Sequence, residues 1–282
     1  MAVNPLHSAL LRLYRQGAPY SVRMRIVDLI RYDEDRAAEL IIEAMADPSA
    51  AVRAVAASRM NNSEYIPLLT GAALSDPSPV VRATAVRRLG RIQKQWCAPV
   101  FLRAINDRAG SVRSEAAAAL ALSGSAGGID AIRGAMAGER HRCVRISYYA
   151  ALVQLGAPEW LGALCAELRA PSAVARARAA ALLAAVATAK TAERAIDALA
   201  AAYGQTADYA TCVALADAIC ALACVGSGAA EALVRLSGQR PADEILSRAV
   251  GIAWARSGGT EASAEALTVG GAARSGAPPS RH

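Results

Sequence analysis

The chain has 282 residues, of which 54% are hydrophobic and only 4% aromatic, and 31 basic residues against 24 acidic ones give a formal net charge of +7. An alanine-rich, aromatic-poor composition favours close-packed helices and gives little indication of β-strands. The six cysteines lack the spacing of a disulfide framework, which argues against a small secreted scaffold and favours a reducing compartment. We therefore expect an all-α protein of the cytoplasm.

Eight successive helix pairs are predicted along the chain. Gly90, Gly124 and Gly156 fall where the second helix of a pair is expected to stop. From residue 257 onward the sequence turns to Gly, Ser, Ala and Pro, so we expect a flexible C-terminal tail over 257–282. The predicted pairs cover residues 4–31, 33–60, 63–90, 95–123, 127–155, 158–187, 191–225 and 228–256.

A short motif recurs with a nearly constant period. It reads Asp-Pro-Ser-x-x-Val-Arg at 47–53 and 76–82, and it returns in a looser form at 107–113. Aligning the chain on the arginine of this motif gives steps of 30, 29, 31, 32 and 31 residues. A period in this range indicates stacked repeats, which predict one elongated solenoid over 1–256 rather than two globular domains. The aligned arginines are Arg23, Arg53, Arg82, Arg113, Arg145 and Arg176.

The residues inside each motif and after it predict a helix start followed by an apolar helix face. Asp47 and Asp76 can cap a helix by accepting a backbone N–H, and a proline follows each of them. An apolar column then recurs at i, i+4 and i+8, as in Val81, Ala85 and Leu89, which places its members on one side of a helix. The middle member is usually alanine, so adjoining helices can approach closely.

The aligned arginines allow two interpretations. In the structural one, each arginine reaches the loop aspartate of its own or a neighbouring repeat and forms a ladder of charge-assisted hydrogen bonds. In the functional one, the arginines form a phosphate-binding stripe. We favour the structural interpretation because the repeat itself implies it. The predicted ladder residues are Asp47, Arg53, Asp76, Arg82, Asp107, Arg113 and Arg145.

These repeats resemble HEAT repeats, in the short form of about thirty residues found in proteins of the phycobilisome-lyase type. The resemblance covers residues 17–190 clearly and 190–256 more loosely. It implies a right-handed α-solenoid of about seven to eight helix pairs, in which the second helices line a concave face where partners bind. Repeats of this type occur in proteins with unrelated activities, so the resemblance does not determine the function.

Second-helix positions that the repeat does not require are the candidate binding positions. Residues 82–113 contain eight basic side chains against Asp107 alone, whereas 23–53 is richer in acidic residues. This contrast predicts a partner with an acidic surface, with an ordinary solvated face as the alternative. In 139–149, charged residues replace Asp-Pro-Ser, and Tyr148 interrupts the alanine column. This departure predicts an interface anchor of aromatic and arginine side chains, or else Tyr148 only fills a wider gap between repeats. The candidate partner-binding residues are Arg59, Arg87, Arg88, Arg91, His141, Arg142, Tyr148 and Tyr149.

No catalytic or cofactor-binding constellation is found in the sequence. Its three histidines are too scattered for a catalytic pair or a zinc site. Cys212, Cys220 and Cys224 share a helix face without further ligands, and the glycine-rich stretch 124–128 lacks the Lys-Ser/Thr of a phosphate loop. We therefore predict a non-catalytic scaffold that binds an acidic protein partner through its second helices, with no cofactor and no bound metal.

Two other functions are kept as alternatives. The resemblance implies a factor of the phycobilisome-lyase type, which attaches a cofactor or chromophore or assists maturation. Nucleic-acid binding on the basic centre, as in HEAT-like DNA glycosylases, is the weaker alternative because aromatic residues for base stacking are scarce. The apolar run 209–234 is interpreted as buried helix rather than a membrane span, since Asp217 interrupts it.

Overall fold

The computed structural model describes residues 5–29, 37–92, 95–125, 127–224, 228–240 and 243–256. Within these ranges all regular structure is helical, with sixteen α-helices, three short 3₁₀-helices and no β-strand. Each of the eight predicted helix pairs is present, so the all-α prediction is confirmed. The predicted tail, 257–282, lies outside the described residues.

The chain divides into two compact units, Met1–Leu155 and Gly156–His282. The prediction of one solenoid over 1–256 stays a prediction. The helices of the first unit are α1 (Pro5–Arg15), α2 (Tyr20–Leu29), α3 (Ala37–Ala44), α4 (Ala50–Arg59), α5 (Ile66–Ser75), α6 (Pro79–Ile92), α7 (Ala98–Ala104), α8 (Gly110–Ser123), α9 (Gly128–Ala137) and α10 (Arg142–Gln154). Those of the second unit are α11 (Leu161–Ala166), α12 (Ala173–Val186), α13 (Ala192–Gln205), α14 (Tyr209–Leu222), α15 (Gly228–Gln239) and α16 (Glu244–Arg256).

Each unit is a stack of helix pairs. In the first unit the second helices pack side by side, α2 on α4, α4 on α6, α6 on α8 and α8 on α10, and each first helix packs on the second helix of its own pair. In the second unit α12 packs on α14, and α14 on α16. This repeated nearest-neighbour packing is that of an α-solenoid.

The predicted apolar columns supply the core between the stacked helices. Val81, Ala85 and Leu89 of α6 have no exposed surface, and neither have Val112 and Leu120 of α8. Fully burying a valine or leucine side chain stabilises a fold by roughly 1.5–3 kcal/mol. The same column therefore contributes to the core of repeat after repeat.

Glycines act in two different ways in the second helices. Gly124 ends α8 with a φ of 60°, and Gly156 follows α10 with a φ of 94°, both in the left-handed region that glycine adopts at low cost. The expectation that Gly90 ends a helix is wrong, because α6 continues to Ile92. A Cβ atom at Gly90 would lie 3.0 Å from the Cβ of Ala119, so this glycine lets α6 and α8 approach closely.

The motif aspartates hold the loop before the helix rather than its first turn. The backbone N–H of Ser49 donates to Asp47 Oδ1 at 2.8 Å, and that of Ser78 donates to Asp76 Oδ1 at 2.8 Å. Ser49 is itself the N-cap of α4. The aspartates therefore accept a backbone N–H as predicted, but their placement at the helix cap is wrong by two residues.

The apolar run that begins at Tyr209 forms two separate helices, α14 and α15, and most of α14 is buried in the second unit. Across the described helices, none combines the length and the apolar character that a membrane span requires.

Candidate functional site

A ladder of ion pairs joins the loops that precede the second helices of the first unit. Arg53 donates from Nε and Nη2 to Asp76 at 2.8 and 2.9 Å, and Arg82 donates in the same way to Asp107, both at 2.8 Å. Each arginine also donates to the backbone carbonyl of the aspartate in its own repeat, as Arg82 Nη1 does to Asp76 at 2.8 Å. Every such arginine thus ties its own loop to the next one.

The ladder continues in both directions from these pairs. Upstream, Arg23 donates to Asp47 at 2.7 and 2.8 Å, and the hydroxyl of Tyr14 donates to the same carboxylate at 2.9 Å. Downstream, Arg113 donates to Glu139 at 2.7 and 3.0 Å. Glu139 therefore takes the place of the motif aspartate, a role that sequence alignment on Asp-Pro-Ser did not identify.

Arg145 does not continue the ladder, so the prediction that it is a ladder residue is corrected. Arg145 forms no ion pair with the described residues, and its Nε atom is buried without a hydrogen-bond partner among them. The physical reason is that the next motif reads Ala-Pro-Ser at 170–172 and offers no carboxylate. Within the second unit, Arg176 donates to two backbone carbonyls of that motif at 2.9 and 3.0 Å and lies 3.7 Å from Asp208.

The ladder carboxylates are held in the charged form. Burial by itself would raise the pKa of Asp107, but hydrogen bonds from Arg82 and from a backbone N–H lower that pKa below its ordinary value. The same opposing effects lower the pKa of Asp47, Asp76 and Glu139. The side chains of Arg82 and Asp107 are only 5% and 14% exposed. Arg82 therefore presents no accessible guanidinium to a phosphate, and its role is to fix loops.

Four of the predicted partner-binding residues cluster on two adjacent second helices. Arg59 is the last residue of α4, and Arg87, Arg88 and Arg91 lie in the last turns of α6. Arg53 joins the start of α4 to the loop before α6, so the two packed helices run in the same direction and their C-terminal ends are neighbours; we name these four residues the arginine face. Arg87 and Arg91 are exposed, and Arg59 and Arg88 are half-buried.

The arginine face has a carboxylate beside it and exposed apolar side chains elsewhere on α6 and α8. Arg87 Nη2 donates to Glu115 Oε1 of α8 at 3.0 Å, with these side chains 48% and 26% exposed. Solvent screens such a pair, which contributes only about 0–1 kcal/mol. Val80 of α6 and Leu122 of α8 are exposed, and the spacing of 80, 87 and 91 places these positions on one side of α6. The patch therefore combines guanidinium groups with apolar contact area.

The other four predicted partner-binding residues belong to the start and middle of α10. His141 is the N-cap of α10, its backbone N–H donates to Glu139 at 2.8 Å, and it is exposed together with Arg142. Tyr149 is half-buried. Tyr148 has no exposed surface, so its ring fills the core where other repeats carry alanine. The interpretation of Tyr148 as a partner contact is corrected accordingly.

The two groups do not form one site. The arginine face lies at the C-terminal ends of α4 and α6, whereas His141 and Arg142 lie at the N-terminal end of α10, which packs on α8. In the ranges that the structure describes, no group of three or more His, Cys, Asp or Glu side chains is placed to hold a metal ion. The arginine face is therefore the candidate site that the geometry supports best.

The family model for HEAT repeats matches residues 66–153, which run from α5 to the end of α10. Residues 66–153 of this chain are therefore HEAT repeats. The matched segment includes the ion pairs of Arg82 and Arg113 and the α6 portion of the arginine face. No curated protein matches this chain significantly.

Solved structures with the same fold include the complex of CpcE and CpcF of phycocyanin lyase from Nostoc sp. PCC7120. That chain is 16% identical, with a TM-score of 0.51, and the match covers 77% of this chain and 94% of that one. The resemblance to repeats of the phycobilisome-lyase type is thus confirmed for the fold. Human deoxyhypusine hydroxylase in complex with glycerol is 19% identical over 89% of this chain and 96% of that one, with a TM-score of 0.39. An engineered protein is 17% identical over 94% of this chain and 77% of that one, with a TM-score of 0.43.

Proposed function

We propose that this HEAT-repeat protein is a non-catalytic scaffold that holds an acidic protein partner against the arginine face. The observation that carries the proposal is the clustering of Arg59, Arg87, Arg88 and Arg91 at the ends of two helices packed side by side. Repeat proteins bind partners along the surface that successive second helices form. The arginine face lies on that surface.

The chemistry of the patch suits carboxylates on a protein surface. A guanidinium group is planar, weakly hydrated for a cation and able to bind a carboxylate through two hydrogen bonds, which makes arginine effective at interfaces. The exposed Val80, about 10 Å along α6 from Arg87, and the exposed Leu122 of α8 can contribute apolar burial if the partner extends over them and excludes water. We therefore propose a partner surface with clustered aspartate and glutamate around a few apolar side chains.

Two alternatives remain as hypotheses. The fold shared with the phycocyanin lyase complex favours a factor that attaches a cofactor or chromophore, or assists maturation, and its partner would then be the acceptor protein. Nucleic-acid binding is the weaker alternative, because sequence-independent binding of single strands uses several exposed aromatic rings for stacking. Trp96 is exposed near the basic centre, but Tyr148 is buried and Tyr149 is half-buried.

The test captures partners on the tagged full chain from extracts of its native cells and compares two charge-reversed variants. Arg87→Glu/Arg91→Glu changes the two exposed members of the arginine face. Arg103→Glu/Arg133→Glu is the matched control, because it makes the same change in net charge at exposed positions of the first helices α7 and α9. We expect a stoichiometric protein partner on the wild type and on the control, weakened more than about tenfold by the first variant.

Three outcomes decide between the hypotheses. A partner retained by Arg87→Glu/Arg91→Glu but lost from the control would refute the placement on the arginine face. A captured protein that carries a covalently attached absorbing group would favour the cofactor-attachment alternative. Captured nucleic acid whose binding falls steeply with salt concentration would favour the third function.

A further inference from the structure

The second unit contains a groove between two neighbouring second helices, α14 and α16. Its volume is about 430 Å³, within the range of about 300–1,000 Å³ that is usual for ligand sites. Ala216, Cys220 and Ala249 form its floor and are buried. Tyr209 and Ile252 line its sides and are exposed, so the groove is open to a ligand from solution.

The apolar part of the lining is chemically unreactive. Val213 and Ile245 complete this apolar part. Burial raises the pKa of the Cys220 thiol to about 11, and its Sγ lies 3.3 Å from the backbone carbonyl oxygen of Ala249, to which it donates. Cys220 is therefore a neutral part of the wall rather than a nucleophile. A ligand would be held here by its shape and charge.

Three charged side chains line the groove, Asp217 from α14 and Glu244 and Arg248 from α16. Within the part of the chain that the structure describes, none of the three forms an ion pair or a side-chain hydrogen bond. The first unit, by contrast, pairs its loop carboxylates with arginines. Two carboxylates against one guanidinium give the lining side chains a net negative charge, while Arg256, which does not line the groove, adds a positive charge near Cys220. The charge complement of the lining is therefore a cation carried on an apolar ligand.

We propose that this groove binds a segment of a partner protein that presents a basic side chain between apolar ones. The apolar floor receives the aliphatic side chains, Asp217 and Glu244 bind the cation, and Arg248 binds a carboxylate or backbone carbonyl of the same segment. From Tyr209 to Cys220 the helix rises about 17 Å, which matches about five residues of an extended peptide. The charge of this occupant is opposite to that of the partner proposed for the arginine face, so this inference is independent of that proposal.

The test measures peptide binding to the full chain by fluorescence anisotropy. The probes are fluorescein-labelled peptides of about seven residues, built from leucine and alanine, that differ only in carrying lysine, glutamate or glutamine at their polar positions. Asp217→Lys/Glu244→Lys reverses the charge of the groove. Asp197→Lys/Glu231→Lys is the matched control, since it makes the same charge change at exposed positions of the first helices α13 and α15.

The expected result is a charge-dependent preference that belongs to the groove alone. The lysine peptide should bind the wild type and the control with similar affinity and bind the groove variant about tenfold or more weakly, and the glutamate peptide should prefer the groove variant. Asp217→Asn/Glu244→Gln supplies a second variant without charge reversal, and it should lower the lysine preference while circular dichroism shows unchanged helicity.

The proposal is overturned if the wild type binds no lysine peptide, if it binds lysine and glutamate peptides equally, or if the groove variants leave the preference unchanged. Two other occupants would also overturn it. If Arg274→Glu/Arg281→Glu raises the affinity for the lysine peptide, the chain's own C-terminal segment competes for the groove. If sedimentation shows self-association of the wild type that Asp217→Lys/Glu244→Lys abolishes, the occupant is a second copy of the chain.

Discussion

Replacing Arg82 with methionine removes one cation from the ladder while keeping an unbranched side chain. Arg82 is almost fully buried and donates twice to Asp107 at 2.8 Å and once each to the backbone carbonyls of Asp76 and Pro77, at 2.8 and 3.2 Å. Breaking a buried ion pair by removing one partner costs about 3–5 kcal/mol, because it leaves an uncompensated charge. Asp107 keeps the hydrogen bond from the backbone N–H of Ala109, so we expect about 3 kcal/mol, the lower end of that range.

A double-mutant cycle with Asp107→Asn isolates the ion pair from the other contacts of Arg82. Asparagine keeps an oxygen that can accept the N–H of Ala109 but removes the charge. We expect the double variant to be less destabilised than the sum of the single variants by about 1.5–3 kcal/mol, since removing both charges leaves neither one unpaired. The measurement is the free energy of unfolding from urea titrations followed by far-ultraviolet circular dichroism.

Arg87→Met is the control for this cycle. Arg87 is paired with Glu115 across the surface, where solvent screens the charges, and we expect its loss to cost less than about 1 kcal/mol. If the costs of the Arg82 and Asp107 substitutions add within about 0.5 kcal/mol in the double variant, the ion-pair argument is contradicted. Equal costs for Arg82→Met and Arg87→Met would contradict the argument that burial makes the ladder pair strong.

Three further predictions concern acid, a helix contact and two tyrosines. The unfolded pKa values are about 3.9 for aspartate and about 4.3 for glutamate, and the folded-state pKa values of the ladder carboxylates lie below them. Urea titrations at several pH values should therefore show their stabilisation complete above about pH 5 and lost as the pH falls through the lowered pKa; a large loss already between pH 7 and 5 would contradict this. Gly90→Ala should destabilise the protein by about 1 kcal/mol in thermal unfolding, because the new Cβ would lie 3.0 Å from the Cβ of Ala119. Gly71 has open space around it, so Gly71→Ala should stabilise the protein by about 0.5–1 kcal/mol. The reverse order of stabilities would refute the close approach of α6 and α8. Tyr14→Phe should cost about 1.5–3 kcal/mol because the hydroxyl binds the Asp47 carboxylate. Tyr148→Phe should cost less than about 0.5 kcal/mol, because its buried hydroxyl makes no hydrogen bond of ordinary geometry to the described residues and interacts only weakly with nearby Arg113; equal losses would contradict this contrast.

The local pattern of the sequence determined the helices, their pairing and the position of their apolar faces. This is possible because each repeat places its cap residues, its apolar column and its arginine within about thirty residues, so the information is short-range and is written several times. The clustering of basic residues around α6 was visible for the same reason, since 87, 88 and 91 lie within one or two turns of a single helix.

Tertiary structure decided the features that depend on contacts between repeats. Gly90 lies inside a helix, where its missing Cβ lets α8 approach closely, and Glu139 takes the place of an aspartate because its longer side chain still reaches Arg113. Tyr148 is buried by its neighbours, although its position in the repeat pattern is the same as that of alanine elsewhere. The groove between α14 and α16 brings Asp217 to the same surface as Glu244 and Arg248, and no local spacing relates Asp217 to the two residues of α16. Such sites depend on how neighbouring helices pack, and the pattern within one repeat carries no record of that packing.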